Sequence, residues 1–326
     1  RDLKKIAYKD TLLKMSGLER DKLPDLKQCI DVLGPLKKEV AAALGLREDV
    51  QVVMGAPDMA AAAVGSGAVG DFEGHLYIGT SSWIVAHVPF KKADLFHTIA
   101  SIPSAIPDKY FMINEQETAG GVLNYLRDNI LYHKDELLRE EQAPDIFKVF
   151  DKIAANVPPG SNKVIFTPWL NGERAPVEDN TVRACLFNLS LNNTREDIIR
   201  AFMEGVAFNQ RWALTYVEKF MGRPMQPIHM VGGGAASDVW CQIHADVLNR
   251  TIKQVEDPIQ TNARGAAFIA SVGLGYMTFD DIPKYIKIRN TFEPNPDNRG
   301  IYDELYKAYL EIYRKNKSIH KKLNSI

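Results

Sequence analysis

Residues 54–70 read MGAPDMAAAAVGSGAVG, and two folds compete for them. The closing part, Gly65-Ser-Gly67-Ala-Val-Gly70, satisfies the Gly-x-Gly-x-x-Gly pattern of a dinucleotide-binding loop. Such a loop must leave a strand and open a helix, so that the helix N-terminus meets a pyrophosphate. Here the order is reversed. A β-branched run, VQVVMG, comes first; Pro57 and Asp58 then stand where a helix starts, alanines follow, and the glycines close it. The glycines therefore read as tight packing of small residues and a C-terminal turn. Asp58 is the single charge in the run, and it lies at a strand exit, the end of an open α/β sheet where ligands bind.

The pattern continues outward from this point. HLYIG (75–79) and SWIVAHV (82–88) are apolar runs separated by Thr80-Ser81, the spacing of a hairpin, and KYFMIN (109–114) supplies a third strand. A helix is expected from about Glu117 to Tyr132, then an irregular stretch, then VIFTPWL and the loop Asn171–Pro176. Thr194 with Asp197 forms a capping-box signature for a long helix that Gly222 and Pro224 end. The strand PIHMV follows, then Gly232-Gly233-Gly234 opening a helix through Leu248, the strand TIKQV, and a helix from about Asn262 to Val272. A terminal helix carries apolar residues at 305, 309, 312 and 319 and lysines on a solvated face. The order βββαβαβα differs from the doubly wound dinucleotide fold, whose units alternate from the start, and suits a ribonuclease-H-like domain.

Composition excludes several classes of function. The chain has 326 residues, enough for about two domains at roughly 150 residues each. A formal net charge of -1 offers no general field for polyanions, so nucleic acid is not an expected partner. The three cysteines, Cys29, Cys185 and Cys241, lie far apart and form no CxxC, so neither a zinc site nor a disulfide framework is expected. No apolar run approaches the roughly 20 residues of a membrane span, and the opening RDLKKIAYKD lacks a signal-peptide core. A cytoplasmic protein without membrane partners is the expectation, with a homodimer left open.

Three segments carry candidate chemistry. Asp58 is either a helix-start carboxylate that favours the dipole or a functional acid. Gly79-Thr80-Ser81-Ser82 is a turn rich in N–H and hydroxyl donors, the kind that cradles phosphate oxygens, although plain hairpins use the same residues. Gly233 and Gly234, leading to Asp238, offer bare backbone that a flat ligand can approach, and they also suit an ordinary turn.

Taken in order, GAPDMAAAAVGSG, YIGTSSW, ETAGGVLNYLRD, FTPWLNGERAP, REDIIRAFMEGVAFNQR, MVGGGAASDVWCQIHADVLN and ARGAAFIASVGLG resemble the FGGY family of carbohydrate kinases, most closely its xylulokinase-like members. The resemblance implies two actin-like ATPase domains of ribonuclease-H type around a cleft. It implies that Asp58 is the general base and that the Gly79, Thr80 and Ser81 turn meets the phosphates of ATP. It further implies that Gly120, Asn124, Gly233, Gly234 and Asp238 line the adenine and ribose pocket, with Gly234 bare because the nucleotide needs its space. The expected ligands are ATP, Mg²⁺ and a sugar, most closely a pentulose such as xylulose; no metal ligand is assigned within this chain. Gluconate, glycerol or ribulose as acceptor, and a non-catalytic actin-like nucleotide-binding module, are the alternatives. Glu173 and Arg174 match the family's G-E-R-x-P segment and are expected to form a buried ion pair. The family's opening strand and magnesium-binding turn are not found. Residues 1–73 are accordingly read as the end of a first, sugar-binding domain and 74–326 as the second, ATP-binding one, and the chain by itself is expected to be inactive.

Overall fold

The computed structural model describes residues 7–131 and 145–325. A short helix α1 (Asp10–Ser16) precedes β1 (Val32–Pro35), α2 (Lys38–Leu44) and β2 (Gln51–Val53), and the two strands pair antiparallel. Helix α3 (Asp58–Gly65) follows Pro57, as the Pro-Asp start requires. The chain then enters an eight-stranded sheet through β3 (Gly74–Ile78), β4 (Ser82–Val88), β5 (Ala93–Asp94), β6 (Ile99–Pro103) and β7 (Tyr110–Gln116). After α4 (Gly121–Leu126) and α5 (Ile146–Asn156), β8 (Ile165–Thr167) and β9 (Cys185–Phe187) form a separate pair. The long α6 (Arg195–Met221) leads to β10 (Ile228–Val231), α7 (Asp238–Leu248), β11 (Ile252–Val255), α8 (Thr261–Gly273), β12 (Ile288–Phe292) and α9 (Arg299–Asn324).

The large sheet runs β12-β11-β10-β3-β4-β7-β6-β5, with β10 parallel to both β3 and β11 and antiparallel pairing from β3 outward through β4 and β7. Alternation decides its faces. Leu76 and Ile78 of β3 and Ile84 and Ala86 of β4 point into a core shared with α6 and α7, whereas Tyr77, Trp83 and Val85 face a second core made by α3 and α8. Three layers result, in a mixed α/β arrangement with the sheet in the middle.

Helix α6 is the spine of the larger core. Thr194 and Asp197 form its capping box and Gly222 ends it in the left-handed conformation. Arg200 and Glu204, one turn apart on α6, pair at 2.7 Å while buried. Glu204 also accepts from Gly160 N–H, Ser161 Oγ and Tyr302 Oη, and Arg200 donates to the Ala154 carbonyl, so α5, α6 and α9 meet in one satisfied network.

On the opposite face α3 crosses α8 with no side chain between them. A Cβ on Gly65 would sit 2.0 Å from the Thr261 carbonyl oxygen, and one on Gly265 would sit 1.8 Å from that of Ala61. The glycines at 65–70 are thus a helix crossing and its closing turn rather than a phosphate loop, and Gly67 turns the chain with φ +80. His87 holds that turn. Its Nδ1–H donates to the Ala68 carbonyl at 2.8 Å, Nε2 accepts from Ser104 Oγ at 2.9 Å, and His229 Nδ1–H donates to the Ser66 carbonyl at 2.8 Å.

Several elements depart from the sequence reading. The structure adds β5 and β6 inside the expected three-strand unit, β9 beside β8, and β12 as an antiparallel edge. Helix α4 starts at Gly121 rather than Glu117, because the Glu117, Ala119 and Gly120 N–H groups donate to the Glu173 carboxylate and to the Thr80 and Gly79 carbonyls. The expected helix end at Tyr132 lies outside the described residues. A 3-10 turn, Gly233–Ala236, separates the three glycines from α7. In α9 the buried stripe runs through Tyr302, Leu305, Tyr309, Tyr313 and His320, leaving Ile319 54% exposed. Among the described residues no helix is long and apolar enough to cross a membrane.

Two outcomes are expected. Gly265→Ala forces a methyl into the Ala61 carbonyl and should destabilise by about 1–3 kcal/mol or more, whereas Gly300→Ala in α9, where a Cβ meets nothing within 4 Å, should be neutral to stabilising by up to ~1 kcal/mol in the same chemical denaturation. The second concerns pH. Burial pushes the His87 imidazole down to about 4, so the unfolded chain takes up a proton near the ordinary value of 6.5 that the folded chain refuses. Stability is therefore retained above about pH 6.5 and lost as pH falls towards about 4. His87→Gln should flatten the slope of unfolding free energy against pH in that window by up to ~1.4 kcal/mol per pH unit, one proton's worth. An unchanged slope would mean that His87 titrates normally.

Candidate active site

The end of β3 delivers Gly79 and Thr80 to a cavity of about 520 Å³. Gly79 N–H closes the turn on the Ser81 carbonyl at 2.9 Å, and the turn's outer carbonyls accept from the start of α4: Gly79 from Gly120 N–H at 2.7 Å, Thr80 from Ala119 N–H at 2.8 Å. A Cβ on Gly120 would lie 2.5 Å from the Gly79 oxygen, so a glycine is needed for this close approach. With the carbonyls thus occupied, the N–H and hydroxyl groups of Thr80 and Ser81 have no protein partner among the described residues, and the exposed Thr80 borders the cavity. That is a set of donors without acceptors, suited to an anion.

Six of the expected residues border this one cavity: Gly79, Thr80, Gly120, Asn124, Gly233 and Gly234. Ser81, Asp238 and Asp58 do not line it. Asp238 opens α7, accepts from Gln254 Nε2 at 2.8 Å and faces Arg289 at 3.8 Å. The three consecutive glycines have separate reasons to be bare. Gly232 has φ +86 and donates its N–H to the Pro258 carbonyl; a Cβ on Gly234 would strike Ile78 Cγ2 at 2.5 Å; only at Gly233 would a Cβ enter open space. Core packing, rather than the nucleotide, is therefore what forbids a side chain at Gly234.

Asp58 sits at the first position of α3, exposed, with Oδ1 accepting from Met59 N–H at 2.7 Å. Tyr77 lies between the charge of Asp58 and the turn's first glycine. The ring stacks on Trp83 at 3.8 Å and 2°, and it lies so close to Gly79 that a Cβ there would be 2.8 Å from the hydroxyl. Burial raises the Tyr77 phenol's pKa and the negative charge of Asp58 adds to the rise, so the hydroxyl stays protonated within electrostatic reach of the carboxylate. Sequence reading missed Tyr77, although it stands two residues before Gly79 in the run that was singled out.

Glu173 and Arg174 do not form the expected pair. Glu173 is buried and accepts from Glu117 N–H, Arg174 N–H and Asn209 Nδ2, while the Arg174 guanidinium turns outward to Glu115 and Glu117. Burial pushes the Glu173 carboxyl up to about 8 against the pull of those donors. The residue anchors the loop after β8 rather than facing the cavity. Helix α5, which supplies Phe147, Lys148 and Asp151 to the cavity wall, was also missed. Its signal was present in the i, i+4, i+8 spacing of the buried Ile146, Phe150 and Ala154.

The model for the C-terminal domain of the FGGY family of carbohydrate kinases matches residues 75–274, and that for the N-terminal domain matches residues 1–65. This chain belongs to the FGGY family of carbohydrate kinases. It is 30% identical over 302 residues to a xylulose kinase of Staphylococcus epidermidis, covering 92% of this chain and 58% of the relative, and 28% identical over 315 residues to a gluconokinase of Bacillus subtilis, covering 96% and 61%. Among solved structures, a gluconate kinase and a xylulose kinase, both from Lactobacillus acidophilus, superpose with a TM-score of 0.85 each at 28% and 27% identity, covering 98% of this chain and 63% of theirs. The chain thus spans about three-fifths of the length of these FGGY relatives. The actin-like ATPase fold of the family accounts for the three-layer arrangement around the cavity.

Gly233 gives the discriminating variant for this FGGY cavity. Where ATP occupies this cavity, Gly233→Leu leaves the melting temperature near that of the parent and weakens ATP binding by at least on the order of tenfold, equivalent to ~1.4 kcal/mol, in calorimetric titration. Gly234→Leu should instead lower the melting temperature. Undiminished ATP binding by folded Gly233→Leu would move the nucleotide out of this cavity.

Proposed function

We propose that this chain carries the ATP site and the general base of a sugar kinase, which transfers the γ-phosphoryl group of ATP to a sugar hydroxyl. The observation that carries the reading is the set of unpartnered donors on Thr80 and Ser81 where β3 ends, with the Asp58 carboxylate near enough to raise the phenol of Tyr77 two residues before Gly79. A cavity of about 520 Å³ lies within the roughly 300–1,000 Å³ of small-molecule sites. We place the division between the two family units at residues 73 and 74, where β3 begins.

In-line transfer needs an acceptor hydroxyl that loses its proton late, and donors that meet the charge on the phosphoryl oxygens. Asp58 orients the hydroxyl and takes its proton. The free N–H groups of Thr80 and Ser81 receive phosphate oxygens, and Gly233 lets the nucleoside approach the backbone. Magnesium neutralises phosphate charge when bound with the nucleotide. Among the described residues no group of three or more His, Cys, Asp or Glu side chains could hold a metal. An ion held chiefly by phosphate oxygens and water needs no such group, and no residue of this chain is assigned to it.

Xylulose is the acceptor this reading favours, because a xylulose kinase is 30% identical to this chain. Gluconate is the second reading, supported by a gluconokinase at 28% and by the equal TM-scores of the two Lactobacillus structures. A panel of xylulose, ribulose, glycerol and gluconate with ATP and Mg²⁺, assayed for ADP release by the intact gene product, separates them. In that protein Asp58→Asn should lower kcat on the order of 10²-fold or more while ATP affinity holds within about twofold of the parent. Turnover near the parental rate would return Asp58 to a helix-start residue. ATP binding with no turnover on any acceptor would favour a nucleotide-binding module.

A further inference from the structure

The wall of the cavity contributed by α5 carries charge that neither the glycines nor the Thr80 turn explains. Asp151 Oδ1 accepts from Ser237 Oγ at 2.6 Å, and the same hydroxyl accepts from Trp240 N–H at 3.0 Å as the N-cap of α7. Ser237 therefore has its one hydrogen committed to Asp151. The second carboxylate oxygen of Asp151 has no partner among the described residues, and the residue borders the cavity. Lys148, the one cation among the cavity's lining residues, is already paired with Asp145 at 3.3 Å. Burial and the charges of Asp238 and Asp145 all raise the Asp151 carboxyl's pKa, so an unpaired anion there is costly and a donor would relieve it.

This charge orients a nucleotide. With Lys148 taken up by Asp145 and Asp238 facing Arg289, the unpaired oxygen of Asp151 disfavours a triphosphate on this wall, whereas the free N–H group of Thr80 attracts one. The nucleoside must then face α5, and what a nucleoside offers a carboxylate is its hydroxyl and amino donors. The exposed side chains of Phe147 and Ile259 mark the outer rim and suit the flat base, whereas Asp151 stands one helical turn beyond Phe147, beside Ser237. The sugar, which joins base to phosphates, occupies the space between rim and turn.

Resting on the ATP reading above, we propose that Asp151, held by Ser237, accepts a hydrogen bond from the ribose hydroxyls of the nucleotide and makes the site select ribonucleotides over deoxyribonucleotides. Asp151 is thereby a specificity-determining residue. Carboxylates read ribose hydroxyls in the same way at dinucleotide sites, where an acidic residue accepts from the 2′-hydroxyl.

The test is calorimetric titration of this protein with ATP, 2′-deoxyATP, 3′-deoxyATP and purine riboside triphosphate. The parent should bind ATP more tightly than at least one deoxy analogue by on the order of tenfold, as expected for a hydrogen bond to a charged acceptor. Asp151→Asn keeps an oxygen for Ser237 and turns the free acceptor into a donor; it should bring the ratio to within about twofold. Asp151→Ala, read as the same ratio, supplies the answer if the asparagine variant is unstable. ATP binding with a ratio near one in the parent, or a parental ratio that survives both substitutions, overturns the proposal and leaves Asp151 as a tie between α5 and α7. Discrimination only against purine riboside triphosphate, lost in the variants, also overturns it by assigning the carboxylate to the base amino group. No binding of any nucleotide by the parent would instead overturn the ATP reading on which it rests.

Discussion

The position of Asp58 depends on two helices that touch backbone to backbone. Gly65 of α3 and Gly265 of α8 each occupy space in which a Cβ would fall about 2 Å from the other helix's carbonyl. Any side chain at either position drives the helices apart, since close-packed interiors have no slack to absorb it. That contact presses α3 onto the face of the sheet that carries Tyr77 and Trp83, and so fixes where the helix begins. Its first residue is Asp58. A residue matched by the N-terminal family unit is thus located by a helix of the C-terminal unit.

The cavity is organised by which polar groups are already satisfied. The start of α4 spends its N–H groups on the carbonyls of the Gly79–Ser81 turn, which orients the turn and leaves its own donors facing outward. On the opposite wall Ser237 spends its hydroxyl on Asp151 and on α7. Donors remain at one end and a carboxylate at the other. This polarity needs no ligand to create it, and it is the basis of the proposal that a nucleotide enters with its phosphates towards the turn.

Buried polar networks hold those walls in place. The Arg200–Glu204 pair joins α6 to α5 and α9, so the helix bearing Asp151 is anchored through the Ala154 carbonyl. Glu173 plays the equivalent part for the loop after β8. It binds Asn209, whose carbonyl oxygen accepts from Trp169 Nε1 and Tyr309 Oη. Each such group is costly if a partner is removed and satisfied as it stands. They brace elements around the cavity without lining it themselves.

The sequence by itself determined the sheet-forming runs, the capped α6 helix, the reversed strand-and-glycine order that rules out a dinucleotide loop, and the ordered motifs of the family. All of these are local signals, fixed by hydrophobic period, turn chemistry and cap residues within a few positions of one another. Edge strand β5 escaped it because two residues carry no alternation, whereas β12 was missed although Ile288 and Phe292 alternate with polar residues. Which glycines serve packing and which serve a ligand was decided only by tertiary structure. Gly233 and Gly234 are adjacent and chemically identical, yet one faces open space and the other faces Ile78, 156 positions earlier in the chain, a contact that no local pattern records. The same holds for Arg174, whose partners are Glu115 and Glu117 rather than its neighbour Glu173, and for Asp151, which meets Ser237 from 86 residues away. Contacts between distant segments depend on how whole elements pack, and a charge acquires its partner only when that packing is complete.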